Sequence, residues 1–137
     1  MADKDPYIYR IKQVLKVVDG DTIDASIDLG FDISLEKRIR LAGIDTPESR
    51  TTNVKEKSMG LESKEWLKKT LEGAKDILIK TELPDSTEKY GRIIGHLFIN
   101  GQETSLNNQM IYEGYALAYD GGTKGMDLEL LSSRRKK

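Results

Sequence analysis

A chain of 137 residues has room for one hydrophobic core but not two, and 37% hydrophobic with 33% charged residues describes a soluble globular domain with a polar surface. No apolar run approaches the roughly 20 residues of a membrane span; residues 1–10 carry no apolar signal core, and with no cysteine, disulfides, thiolate catalysis and cysteine-ligated zinc are excluded. The formal net charge of −1 argues against a tight, processive or sequence-specific nucleic-acid binder, and less against an enzyme that meets a polyanion through a few local arginines and a bound cation.

Residues 7–18 mix apolar and basic side chains and end at the turn signal Asp19-Gly20. From Asp21 the pattern alternates: Ile23, Ala25, Ile27 and Leu29 share one face and Thr22, Asp24, Ser26 and Asp28 the other, as in a half-buried strand. Gly30 punctuates it. Residues 36–44 read as a third strand with Arg38 and Arg40 on one parity; Asp45-Thr46-Pro47 stops it, because proline offers no N–H to a ladder. Residues 49–53 form a polar loop. The helix that follows carries Met59, Trp66, Leu67 and Leu71 in one apolar stripe and ends at Gly73. Residues 76–82 form a strand, with a turn at Pro84-Asp85-Ser86; residues 91–99 form a fifth strand, closed by the turn signal Asn100-Gly101. A second helix spans 105–113 and ends at Gly114, residues 115–119 are a short apolar segment, and residues 126–132 form a brief terminal helix. Residues 1–6 and 133–137 are expected to be flexible ends of a single domain covering 1–137. The tail Arg134-Arg135-Lys136-Lys137 is either solvated or placed against phosphate.

Five strands with a helix after the third predict a mainly β, α+β fold: a small antiparallel barrel with two to three packed helices. The five-stranded Greek-key barrel used for oligonucleotides, the OB-fold, is the candidate, although pattern alone does not fix strand pairing.

The chemistry concentrates in three short stretches: Asp19-Gly20-Asp21-Thr22, Arg40-Leu41-Ala42-Gly43-Ile44-Asp45-Thr46-Pro47-Glu48, and Lys89-Tyr90-Gly91-Arg92. Taken singly these residues are ordinary: aspartates that open turns, a solvated glutamate, arginines snorkelling from strands. Together, Asp21, Arg40, Asp45, Glu48 and Arg92 each fall beside a turn at a strand end, where side chains can converge on one mouth of a small barrel. Asp21 also shares the parity of Ile23, Ala25 and Ile27, and a carboxylate near a core face is costly unless paired or bound to metal. Two arginines, two aspartates and a glutamate are what metal-assisted attack of water on a phosphodiester requires. His96, the single histidine, sits mid-strand and reads as structural. Gly121-Gly122-Thr123-Lys124 lacks phosphate-loop spacing and reads as a turn.

These three stretches, in this order, closely resemble the staphylococcal nuclease (thermonuclease) family, with further likeness at Asn107, Ile111, Gly114 and Ala116. The resemblance implies an OB-fold barrel and calcium-dependent cleavage of DNA and RNA, with the bond broken on the 5′-oxygen side to leave 3′-phosphates. It implies Ca2+ ligands at Asp21 and Asp45, with Thr46 adding its backbone carbonyl. Glu48 matches the carboxylate that activates or positions water, and Arg40 and Arg92 match the two phosphate-binding arginines. Lys89 and Tyr90 match contacts to a terminal phosphate. Past Ala116 the chain departs from the family: Tyr119-Asp120-Gly121-Gly122 replaces a tyrosine-bearing extension, and the C-terminal helix is shortened. Tyr115 or Tyr119 either stacks on a base or packs as an ordinary aromatic side chain. The expected substrate is single-stranded DNA and RNA, the expected form a cytoplasmic monomer, with secretion open if a leader has been removed. The alternative is a barrel that kept the fold as a nucleic-acid or protein binding module and lost activity.

Overall fold

In a computed structural model, residues 7–81, 91–119 and 126–135 are described. Their order is β1 (Ile8–Asp19), β2 (Thr22–Gly30), β3 (Ile33–Leu41), β4 (Ile44–Asp45), α1 (Val54–Glu72), β5 (Ile77–Thr81), β6 (Ile93–Ile99), α2 (Leu106–Glu113), β7 (Leu117–Ala118) and α3 (Leu128–Arg135). Five strands close into a barrel in the order β1-β2-β3-β6-β5, and β4 pairs with β7 as a separate two-stranded ribbon. This is the expected α+β OB-type barrel with three helices.

The expectation that every pairing is antiparallel is corrected at one seam. β3 and β6 run parallel, with Ile39 beside Ile93, Arg40 beside Ile94 and Leu41 beside Gly95. The chain leaves β3, crosses through β4, α1 and β5, and returns in the same direction, the long connection a parallel pair needs. The third strand also begins earlier than expected, at Ile33, because the hairpin turns at Phe31-Asp32, both with positive φ (56° and 64°).

The core is the inward parity of the barrel. Ile23, Ala25, Ile27, Ile39, Leu41, Ile79 and Leu97 are all buried, and Leu67, Leu71, Leu106 and Met110 bring the helices onto it. Leu29 shares their parity yet is 42% exposed, as are Ile33 (57%) and Leu35 (39%), because the β2–β3 hairpin runs past the end of the core. α1 starts where the Asn53 side chain accepts from Glu56 N–H (3.0 Å) and stops at Gly73. Its stripe buries Met59, Leu67 and Leu71, while Trp66 is half-buried. α2 is capped by Ser105 and ends at Gly114.

The described C-terminal segment packs onto the domain. α3 reaches Arg135 and buries Leu131 completely. Arg135 Nε donates to the Gly114 carbonyl (2.6 Å), Nη2 donates to Ser63 Oγ (3.0 Å), and Nη1 pairs with Glu62. The guanidinium also lies 4.5 Å from the centre of the Tyr115 ring, which stacks on Trp66 at 5.6 Å. Burial lowers the Arg135 pKa from its ordinary value, and Glu62 opposes that shift. Residues 1–6 and 136–137 lie outside the described residues. Among the described residues no helix is long and apolar enough to cross a membrane.

Candidate active site

β1 ends at Asp19, the chain turns through Gly20-Asp21, and β2 begins, so Asp21 stands at the rim of the barrel. The end of β3 is tied to that rim: Leu41 N–H donates to the Asp21 carbonyl (2.8 Å). Gly43, at φ 76°, then lets the chain reverse into β4, a left-handed conformation that a side chain would strain. β4 carries Asp45 to the same rim, and Thr46 N–H donates to Asp21 Oδ2 (3.2 Å). Thr22 Oγ1 donates to the other oxygen of that carboxylate (2.9 Å).

Arg40 occupies the space between the two carboxylates. Its Nη2 is 3.6 Å from Asp21 Oδ2 and 3.8 Å from Asp45 Oδ1, with all three side chains only 11–13% exposed. Two carbonyls hold the guanidinium: Nη1 donates to Leu41 O (2.7 Å) and Nη2 to Ile44 O (2.8 Å). Three of its five N–H groups remain for other partners. Arg38, on the same parity, has a different use: it grips Asp24 across the ladder through two bonds of 2.8 and 3.1 Å on the outside of the barrel.

Thus Asp21, from the β1–β2 turn, meets Arg40, Asp45 and Thr46, from the end of β3, from β4 and from the residue after it, at one rim. Glu48 follows on a loop that is fixed while its own side chain is exposed. Pro47 is fully buried, Ser49 Oγ donates to Asp19, and Glu48 N–H donates to Glu56 Oε2 (3.1 Å). Gly60 of α1 lies against this loop so closely that a Cβ there would sit 2.6 Å from the Glu48 carbonyl carbon and oxygen. Arg92 precedes β6. Since Arg40 pairs with Ile94, residue 92 falls on the same sheet face as Arg40, and it is half-buried.

Asn107 fixes this corner to the barrel. Its buried amide donates to Ala42 O (2.7 Å) and Gly95 O (3.2 Å) and accepts from Leu97 N–H (3.1 Å). β7 closes the other side, pairing Leu117 with Asp45, and Tyr119 N–H donates to Gly43 O (2.8 Å). Tyr119 is therefore two residues from Asp45's partner, half-buried, whereas Tyr115 is committed to Trp66 and Arg135. Lys89, Tyr90, the Pro84 turn and the Gly121–Lys124 turn lie outside the described residues. His96 lies opposite Lys80 on the β5–β6 ladder and lines a surface cavity of about 420 Å³.

The supporting residues were not singled out by pattern. Glu56 had a signal, since Asn53 and Glu56 stand at cap and third position of α1. Its carboxylate reaches Glu48 instead of the cap, which only the folded loop determines. The Asp19–Ser49 contact and the Gly60 approach have no local signature at all.

The donor set at the rim is entirely oxygen: two nearly buried carboxylates and the adjoining backbone. That composition fits a hard dication such as calcium, which takes carboxylates and carbonyls and fills its remaining positions with water and substrate. No group of three or more His, Cys, Asp or Glu residues gathers among the described residues, so the protein side chains would supply only part of a coordination shell.

Comparison with known proteins gives the same direction. The family described as "Staphylococcal nuclease homologue" matches residues 38–135, which includes Arg40, Asp45, Glu48 and Arg92 but begins after Asp21. An uncharacterized protein of Bacillus anthracis is 34% identical over 105 residues, covering 77% of this chain and 45% of that protein. A protein named thermonuclease from Staphylococcus hyicus is 32% identical over 108 residues, covering 77% of this chain and 57% of its own length. An SPbeta prophage-derived endonuclease of Bacillus subtilis is 27% identical over 115 residues, covering 82% and 36%. The chain thus spans about half the length of these curated relatives.

Proposed function

From the premise that this chain belongs to the Staphylococcal nuclease homologue family, we propose that it is a metal-dependent nuclease that hydrolyses phosphodiester bonds in single-stranded DNA and RNA. The observation that carries the reading is the meeting of two nearly buried carboxylates with one guanidinium at the barrel rim. An arrangement that expensive in desolvation has a use when a cation and a phosphate can replace the missing water.

In this reading Asp21, Asp45 and the Thr46 carbonyl hold Ca2+. When bound, that ion supplies Lewis-acid polarisation of a phosphoryl oxygen. Arg40 is held by the Leu41 and Ile44 carbonyls, so its free N–H groups meet a phosphate without first being ordered. Arg92, just before the adjoining strand, binds a second oxygen of the same phosphate, and the two guanidiniums neutralise charge as it grows at phosphorus. Glu48 is exposed on its fixed loop, where its carboxylate orients water or takes its proton. Attack breaks the bond to the 5′-oxygen, and the products carry 3′-phosphates. Lys89 and Tyr90 are assigned to a terminal phosphate, and Tyr119 to a base.

The test is cleavage of end-labelled single-stranded DNA and RNA with calcium, with magnesium and with a chelator, for wild type and Glu48→Ala. Calcium-dependent products with 3′-phosphate ends, reduced in the variant by at least the ~100-fold expected for a lost acid–base group, support the assignment. Folded protein that cleaves nothing under any metal would transfer the family membership to a binding module.

A further inference from the structure

A groove of about 400 Å³ runs between β1 and the C-terminal half of α1. Its walls carry Arg10, Lys12, Lys16, Lys68 and Lys75 against two carboxylates, Glu72 and Asp76. All five cations are exposed, and none forms a salt bridge with a described residue. Lys16 faces Asp24 across the β1–β2 ladder, but that carboxylate is held by Arg38. In a chain of net charge −1, five cations against two anions is a local excess that overall composition conceals.

β1 makes the groove. Among the described residues it pairs with β5 through Ile8, Tyr9 and Arg10, so from Ile11 onward one edge has no described strand beside it. Three register shifts against β2 bend the same stretch. α1 covers that side and buries Leu71 beside Ile11, which gives the groove an aliphatic floor. Among the described residues no aromatic side chain lines it. The strand then runs on to Asp19 and the Asp21 turn. The groove's last strand residue, Val17, is four residues from Asp21, roughly 13 Å along an extended chain.

We propose that this groove binds the phosphate backbone of a single-stranded nucleic acid, holding a part of the substrate that lies outside the bond being cut. Its value to the reaction rests on the nuclease reading above, but its binding does not. With lysines and no aromatic platform, the contact is to phosphate alone: tolerant of base and sugar, and strongly dependent on salt.

The experiment is fluorescence anisotropy in chelator, using a labelled single strand of about 20 nucleotides, longer than the roughly 4–16 that one such fold covers, and a labelled trinucleotide. Wild type is compared with K12Q/K68Q/K75Q and with K37Q/K64Q/K69Q, an equal change in charge at lysines outside the groove. If the three groove lysines each meet a phosphate, the slope of log affinity against log salt falls by about 2, and affinity at about 0.1 M salt falls on the order of 100-fold. The control variant stays near wild type, and trinucleotide affinity does not change. The proposal is overturned by wild-type affinity and slope in the groove variant, by equal losses in both variants, by no binding of the long strand, or by tighter binding of a polyglutamate peptide of equal charge. Groove-dependent binding in a protein that never cleaves would remove the nuclease and leave the groove. Cleavage with affinity independent of these lysines would do the reverse.

Discussion

Replacing Arg40 with methionine keeps most of the aliphatic stem and removes the charge and every donor. Two charge-assisted bonds to carbonyls are lost, at 2.7 and 2.8 Å, each worth about 1.5–3 kcal/mol. Two carboxylates, 3.6 and 3.8 Å from the same nitrogen, lose their neutralising partner, and stripping one partner from a buried pair costs about 3–5 kcal/mol. The terms overlap because one guanidinium makes all of these contacts, so the expected loss is about 4 kcal/mol rather than their sum. That is a large part of the roughly 5–15 kcal/mol that holds a domain folded. Urea unfolding reads it directly, followed by Trp66, the only tryptophan, which stacks on Tyr115. Calcium adds the second arm. If the rim holds calcium as proposed, an ion at about 100 times its Kd adds about 2.7 kcal/mol, and at the same calcium concentration the gain is larger in the variant, where no guanidinium competes for the carboxylates. If Arg40 grips the substrate phosphate as proposed, turnover is lost along with stability. A variant within about 0.5 kcal/mol of wild type, as for an ordinary surface change, would refute the account. So would a calcium effect absent from both proteins.

Gly60→Ala should move stability against its helix propensity. Alanine favours a helix interior by about 1 kcal/mol, but here its Cβ would lie 2.6 Å from the Glu48 backbone and 2.7 Å from the Pro47 carbonyl oxygen. The expected result is a loss of about 1–3 kcal/mol and a fall in turnover larger than the residual instability explains; a more stable, fully active variant would show that the loop yields freely. Asp24→Asn tests the outer ion pair by pH. Hydrogen bonding to Arg38 holds the Asp24 carboxyl below its ordinary 3.8, so its contribution is complete above that value and is lost as pH falls through the lower folded one. With the partners 28% and 48% exposed, the gap between wild type and variant should be about 0.2–1 kcal/mol at neutral pH and should close below pH 3.8. Thermal melts across that range check it, and a gap that persists in acid would assign the effect to something other than the pair.

Elements whose pattern is local were legible. Alternation from Ile23 to Ile27 gave β2 its buried face, and the stripe of Met59, Leu67 and Leu71 gave α1 its packing side. Gly73, Gly114 and the Asn100-Gly101 turn marked element ends that the fold keeps. Parity failed at Leu29, because alternation tells which side faces inward and not whether a core extends that far. It also failed to separate Arg38 from Arg40: the two share a face, and position along β3 sends one to Asp24 outside and the other to the rim. Tyr115 carried no local mark that it would stack on Trp66 and receive Arg135 over its ring.

The sequence by itself determined the chemical inventory of the site and the strands and helices that present it. Those depend on residue type and short-range periodicity, which each segment carries within itself. Tertiary structure alone decided that Asp21 and Asp45 would share one guanidinium, that Glu56, Ser49 and Gly60 would fix the Glu48 loop, and that β6 would return parallel to β3. It also decided that lysines from β1 and α1 would line one groove. Each of these is a contact between different elements or loops of the fold, not within one regular segment. Its energy comes from burial and pairing after the barrel closes, so no single stretch of sequence contains it.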